Sequence, residues 1–395
     1  MLCIIQLQAQ TTISLDEAIR QALDKNIEIE KQNSLIKKSE SRLNESSRIP
    51  NPIFNYSRED LKLNNAKIGE WITSGSLPLN FLWDRWSNIN SKEKSLEAQR
   101  LLLENSKRSI ISQVQNAYVE YHFYEQLSTD LNKALVKIDE IASTAKQRLL
   151  EGDISEYELQ RILIEANKLK TEVKEIELER NNFLNRLKLL IGYDPDKELQ
   201  TIPIQPLQNI TQSNKELLKT ALQNRKDLKA IEQLVESESA FLSHNKLKII
   251  PNINLTAGYK KQLDDYSGTV LQLNFEIPLF KRNQLEIEQS ETDLNILEQQ
   301  KNYLIKQIGT EVQESYAKFR QYEMLTANKN NLLLQNILTT VVFSYEQGET
   351  SLVEFIDGLN VFIEGIKLNK ELDIKYYQSF FELENVTALS PINEN

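Results

Sequence analysis

The chain of 395 residues holds one cysteine, two histidines and two methionines. Cys3, His122 and His244 cannot supply the clustered thiolates and imidazoles of a structural zinc site, so no metal and no cofactor is expected. Phosphate-cradling loops and nucleophile elbows are missing too, which leaves enzyme chemistry no foothold and no catalytic residue to assign. No run of 18 apolar residues occurs, and that excludes a transmembrane helix. It does not exclude a membrane β-barrel, whose strands are short alternating segments. Basic blocks interleaved with aromatics are absent, and the net charge of -10 argues against nucleic acid as a partner.

Proline is scarce, and its placement is informative. The nine prolines fall at positions 50, 52, 78, 195, 203, 206, 251, 278 and 391, leaving two proline-free stretches of roughly 115 residues in which helix can run uninterrupted. Laid over one another, the two halves match at nearly constant offset. "ALDKNIEI" from Ala22 answers "ALQNRKDL" from Ala221, "IPN" at Ile49 answers "IPN" at Ile250, and "EGDISEYEL" from Glu151 answers "QGETSLVEF" from Gln347. The chain reads as two copies of one unit: a first repeat over 11–192, a linker over 193–212 and a second repeat over 213–395.

Hydrophobic period assigns the segments. Leu131, Leu135, Ile138, Ala142, Ala145 and Leu149 step by four and three, as do Leu352, Ile356, Leu359, Ile363 and Ile366. This is heptad spacing, so the stripes pack helix on helix. Helices are predicted over 14–48, 84–150 and 154–191, and again over 213–249, 281–347 and 352–389. The 84–150 and 281–347 segments, at 1.5 Å per residue, each reach roughly 100 Å. Two shorter helices end to end match one long one, which makes the unit a rod with a glycine turn at one end and the "IPN" segment at the other. At the "IPN" end the period changes to two. Strands are predicted near 52–60, 70–78, 252–261 and 268–278. Ile253, Leu255, Ala257 and Tyr259 share one face, and Leu271, Leu273, Phe275 and Ile277 another. Strands of this length cross a bilayer at a tilt, but four strands cannot close a barrel and open edges are untenable in lipid. A membrane role therefore requires oligomerisation. A soluble hairpin pair packed on the helices is the competing reading. Heptads alone also permit a soluble coiled-coil scaffold, and a long hairpin also occurs in periplasmic adaptor subunits. An adaptor, however, would carry one hairpin flanked by glycine-rich β segments, and here there are two hairpins and ten glycines.

The N-terminal "MLCIIQLQAQTT" reads as the tail of a secretory signal, with residues 1–10 its remnant and Cys3 a candidate lipid attachment point.

The order and duplication of "SLDEAIRQALDKNIEIE", "IPNP", "PLNFLWDR", "PLFKRN" and the two glycine turns resemble the TolC family of outer-membrane efflux proteins, over about Ser14 to Leu389. The resemblance implies an α+β membrane protein: a long antiparallel coiled-coil tunnel in the periplasm, plus four strands contributed to a trimeric, twelve-stranded transmembrane β-barrel in the outer membrane. It implies a passive exit duct for an efflux pump or type I secretion system, assembled as a homotrimer with a periplasmic adaptor, an inner-membrane pump and outer-membrane lipid. "RIPNPIFNYSRED" then marks where a tunnel helix stops and the first barrel strand begins, Pro50 and Pro52 disfavouring helix. Its "IPNPIFNYSRED" part resembles members that serve metal-ion efflux. Carried over by position, Glu354 and Asp357, three apart on one helix face, resemble the acidic rings that narrow the entrance. Like charges gathered there would favour cations and raise some carboxylate pKa values. Glu158 and Tyr345 fall where members hold the entrance closed, while Thr350 stands where some carry a latching arginine. The turn residues Gly152, Asp153, Ser155, Gly348, Glu349 and Ser351 match the adaptor-binding tips.

Overall fold

The computed structural model describes residues 11–63, 66–280, 282–329 and 331–389. Residues 1–10, including Cys3 and the signal-like segment, lie outside them. By internal contacts the chain divides into two compact units, and neither is a sequence half. One takes the segments up to Ile29, Ser106–Arg225 and from Ile308 on; the other takes Glu30–Asn105 and Lys226–Gln307.

The first unit is mostly helical. Its helices include α1 (Leu15–Lys25), α4 (Glu156–Leu190), α5 (Asn214–Asn224), α8 (Asn331–Glu346) and α9 (Leu352–Thr387). It also holds the larger parts of α3 (Arg85–Glu151) and about half of α7 (Gln284–Ala327). The heptad positions form its core: Leu131, Ile138 and Ala145 of α3, Ile162 and Leu169 of α4, and Phe355, Leu359 and Ile363 of α9 are all buried in one cluster. A small parallel sheet pairs β1 (Thr11–Ile13) with β4 (Leu199–Thr201). These three-residue strands fall in what the sequence presents as a leading segment and a linker, and they are too short for any period to register. Side chains of α3 pin them. The buried Tyr118 hydroxyl lies 2.7 Å from the Ile202 carbonyl and 2.9 Å from that of Ile13, and Tyr121 donates to the Leu199 carbonyl at 3.2 Å. Burial pushes the Tyr118 phenol up to about 12.

Three of the predicted helices are each broken in two. The segment expected over 14–48 is α1 and α2 (Ile27–Ser46), and that over 213–249 is α5 and α6 (Lys226–Leu247). The breaks fall at repeat-equivalent residues. Asn26 and Arg225 each donate a last helical bond, to the Ala22 and Ala221 carbonyls at 3.0 Å, and then turn extended with ψ of 127° and 125°. The Asn26 side chain accepts the Glu28 amide at 2.9 Å, starting the next helix as a cap does. The segment expected over 281–347 divides into α7 and α8. Asn328 reaches back to the Met324 carbonyl at 3.0 Å and the Lys329 amide tightens onto Thr326, a local bonding pattern by which asparagine competes with helix. Lys329 then pairs with Asp373 of α9.

The second unit carries the four-stranded antiparallel sheet β2-β3-β5-β6, formed by Ile53–Leu63, Ala66–Pro78, Asn252–Gln262 and Ser267–Glu276. Register aligns the alternation. Phe54, Gly75, Ala257 and Leu271 lie in one row, Leu77, Leu255 and Leu273 in the next, and Thr73 beside Tyr259 in a third, all on one face. Ser76, Thr256 and Gln272, with Asn55, Ser74 and Gly258, fill the opposite face. Gly258 is required by close approach, since a β-carbon there would lie 2.5 Å from the Thr73 carbonyl oxygen. The helices of this unit approach through small residues: Ser91, Ala98, Ser237, Ala240 and Ser290 are buried, and the Ser237 hydroxyl donates to the Ser91 carbonyl at 2.9 Å.

Both histidines are buried as hydrogen-bonding core groups. His244 Nδ1 lies 3.0 Å from the Asp84 carbonyl. His122 lies between the Thr201 hydroxyl at 3.1 Å and the Gln126 amide at 2.9 Å. The Gln126 oxygen takes Lys370 Nζ at 2.6 Å, so its NH2 faces His122 Nε2 and the ring is neutral. Burial holds both imidazoles below their ordinary range, for His122 with help from the Lys370 charge. A depressed histidine pKa means that below about 6.5 the unfolded chain binds protons the folded one does not. Stability is therefore expected to be full above that pH and to fall as pH drops toward the folded-state values. Thermal scans from pH 7.5 down to 5 check this, and the slope should flatten in His122→Gln and His244→Gln variants.

Candidate entrance gate and partner-binding turns

The two glycine turns are built alike. In the first, Gly152 at φ 83° follows α3; its amide donates to the Leu149 carbonyl at 3.1 Å and that of Asp153 to Arg148 at 2.9 Å. In the second, Gly348 at φ 73° follows α8, with Gly348 donating to Tyr345 at 3.1 Å and Glu349 to Ser344 at 2.8 Å. The left-handed glycine and the six-to-one bond are those of a Schellman ending. Each turn then starts the next helix three residues later, with Ser155 capping α4 and Ser351 capping α9.

The caps engage two of the expected gate residues. Glu158 Oε2 accepts the Ser155 amide at 2.8 Å while Ser155 Oγ accepts the Glu158 amide at 3.2 Å. Glu354 and Ser351 repeat the exchange at 2.8 and 3.4 Å. These are capping boxes. Glu354 is held below the ordinary carboxylate range by the Ser351 amide and hydroxyl, the reverse of the upward shift expected from a ring of like charges. In a single protomer its carboxylate is occupied in helix initiation. The signal was in the sequence as S-x-x-E at both turns, and again at Ser213 and Glu216.

Tyr345 lies further in. Its ring is buried and stacks on Phe355 with centroids 4.8 Å apart, so it belongs to the protomer's own core. Burial raises its phenol, with Arg148 opposing and Glu158 reinforcing, which places residues of both turns around one ring. Thr350 is half-buried, with a hydroxyl that finds no hydrogen-bond partner among the described residues. Asp357 differs from its neighbours. It is exposed one turn beyond Glu354, within an outward stripe of α9 that includes Val353, Val361 and Leu368, all exposed apolar residues. Helix α4 shows a matching stripe at heptad spacing, with Tyr157, Ile164 and Leu178 exposed. Gly152, Asp153, Ser155, Gly348, Glu349 and Ser351 are all exposed.

Two glycines beyond the turn were not singled out in the sequence. A β-carbon at Gly358 would come 2.5 Å from Val341 Cγ2, and one at Gly365 would collide with Leu334 Cδ2. Seven residues apart on α9, they let α8 pack closely along it.

No helix of the described residues is long and apolar enough to cross a membrane, a statement that does not bear on the sheet. The helix-and-strand order and the four-stranded sheet built from both repeats are similar to those of solved outer-membrane channels. It matches the outer-membrane channel OprN at a TM-score of 0.79 and 11% identity, over 95% of this chain and 90% of that one. It matches CusC, whose structures concern transmembrane channel formation, at 0.78 and 17%, over 94% and 91%. Against the Campylobacter jejuni CmeC outer membrane channel the values are 0.77 and 15%, over 94% and 85%. No curated protein matches the chain. Residues 217–355 match the family described as Outer membrane efflux protein. That match covers about a third of the chain and lies on a fold shared with solved outer-membrane channels.

Removing either cap hydroxyl, by Ser155→Ala or Ser351→Ala, is expected to cost about 1 kcal/mol locally. Amide exchange in the first turn of α4 or α9 should accelerate about fivefold while the remaining helices keep their protection. Gly358→Leu should cost about 1–3 kcal/mol through overpacking, seen as protection lost along α8.

Proposed function

We propose that this protein is the outer-membrane duct of a tripartite efflux pump or type I secretion system, through which substrates pass without chemistry. The carrying observation is the sheet. It has one apolar face, it bears Phe54, Leu271, Leu273 and Phe275 exposed, and among the described residues its outer strands β2 and β6 each pair on one side only. Such a sheet has no stable form in lipid alone, because unpaired backbone groups cost several kcal/mol each there. Joining β2 of one copy to β6 of the next closes it. Three copies then give twelve strands. The exposed apolar stripes on α4 and α9 support the same assembly, since they ask for helices of a neighbouring copy.

In this reading the protein resides in the outer membrane with its helices forming a periplasmic tunnel. The exposed turns Gly152, Asp153, Ser155, Gly348, Glu349 and Ser351 meet a periplasmic adaptor, which links the duct to an inner-membrane pump. Asp357 faces the entrance, where three copies gather three carboxylates. Glu354 adds its charge from a fixed position because the capping box holds it, and Glu158 does the same in the first repeat. Tyr345 contributes as a packing residue beneath them. The soluble scaffold and adaptor readings do not account for the four-stranded sheet.

Single-channel recording in planar bilayers tests the gate without disturbing the caps, since glutamine preserves a capping box. Wild-type channels are expected to be small and cation-selective. Asp357→Asn should lower the cation preference, and Asp357→Asn with Glu354→Gln should bring the cation-to-anion permeability ratio close to one. A ratio unmoved by the double variant would remove these residues from the entrance; an absence of channels together with a soluble monomer would overturn the duct.

A further inference from the structure

Where the helices give way to the sheet, the second unit contains an open cavity of about 640 Å3, within the roughly 300–1,000 Å3 typical of small-ligand clefts. Its lining is basic in an acidic protein. Arg42, Arg48, Arg85 and Lys92 face it, against the carboxylates of Glu45 and Asp84. The two carboxylates are engaged: Glu45 lies 3.6 Å from Arg48, and Asp84 accepts the Asn80 amide at 3.3 Å. Arg85 donates to the Ser47 carbonyl, while its Nε is buried with no partner among the described residues. Lys92 Nζ sits 5.0 Å over the Phe241 ring. Burial and the nearby Arg42 guanidinium hold its ammonium below the ordinary lysine value. Four cations face the cavity against two lining carboxylates, with Glu238 a further carboxylate acting on Lys92, which leaves an excess of positive charge.

The surroundings indicate what neutralises it. Phe81 lines the cavity directly after β3. Trp86 is 79% exposed close after it, and Phe280 is 95% exposed just after β6. Exposed aromatics at strand ends mark the headgroup level of a membrane β-barrel. A basic pocket at that level recognises an anionic headgroup by charge and by guanidinium hydrogen bonds. We propose that this cavity binds the phosphate of an anionic phospholipid in the leaflet from which the strands emerge, anchoring the helix–strand junction to lipid. The proposal rests on the outer-membrane reading of the sheet.

The test is native mass spectrometry of the purified full chain in neutral detergent, titrated with phosphatidylglycerol. Phosphatidylcholine is the zwitterionic reference and glycerol phosphate the free-phosphate probe. Arg42→Gln with Lys92→Gln is expected to weaken phosphatidylglycerol binding about 30-fold, at about fivefold for each cation removed. The charge-keeping pair Arg42→Lys with Lys92→Arg should remain within threefold of wild type, which separates charge from folding. Equal phosphatidylglycerol binding by wild type and the glutamine pair overturns the site. Glycerol phosphate binding as tightly as the lipid overturns the lipid as its occupant. Conductance in pure phosphatidylcholine bilayers tests the membrane reading on its own. Channels that form there without any phosphatidylglycerol preference sink the lipid site alone, while failure to form channels in any bilayer sinks both.

Discussion

Backbone hydrogen bonding at the edges of one sheet governs this molecule. Among the described residues, strands β2 and β6 each present a row of amides and carbonyls with no partner strand on their outer side, beside an apolar face. In the proposed duct, assembly relieves that constraint. Long helices display apolar stripes outward as well as inward, so that a protomer satisfies its own core and still asks for neighbours.

Duplication is visible at the level of individual bonds. The same Schellman ending, the same serine cap three residues later and the same glutamate three residues beyond that recur at Gly152 and Gly348. The same extended residue interrupts helix at Asn26 and Arg225. The copies differ where the second one departs from regular helix: α7 stops at Ala327, while α3 runs unbroken through the corresponding region. Gly358 and Gly365 likewise bring α8 close to α9. The second copy is thus the more articulated of the two, and it contains the candidate gate.

Much of this was legible in the sequence because it follows from periodicity. Heptads located the core of α3 and α9, and alternation located four strands and even which residues share a face, since side chains on a strand switch sides at every step. The helix breaks were not read because a single extended residue such as Asn26 leaves the hydrophobic stripe on both sides intact. Strands β1 and β4 were missed because three residues carry no period, and their partners are far apart in sequence. The candidate site fared differently. Position relative to the glycine turns picked out Glu158 and Glu354, yet the same residues satisfy the simpler S-x-x-E capping pattern, and the carboxylates are engaged with their own backbone. Tyr345 was placed by resemblance, and its burial against Phe355 was not read from the sequence.

The pairing of β3 with β5 sets a schedule for biogenesis. Trp71 opposes Lys261 and Leu77 opposes Leu255, so the strand pairing that joins the two hairpins of the sheet spans nearly half of the chain. Each hairpin can form locally and quickly, but joining them closes a very long loop, a step that high contact order makes slow. Until synthesis has passed β5 the first hairpin has no inner neighbour at all. Its apolar face must then be shielded by something other than its own sheet, which makes the interval between translation and assembly the most aggregation-exposed period in the life of this protein.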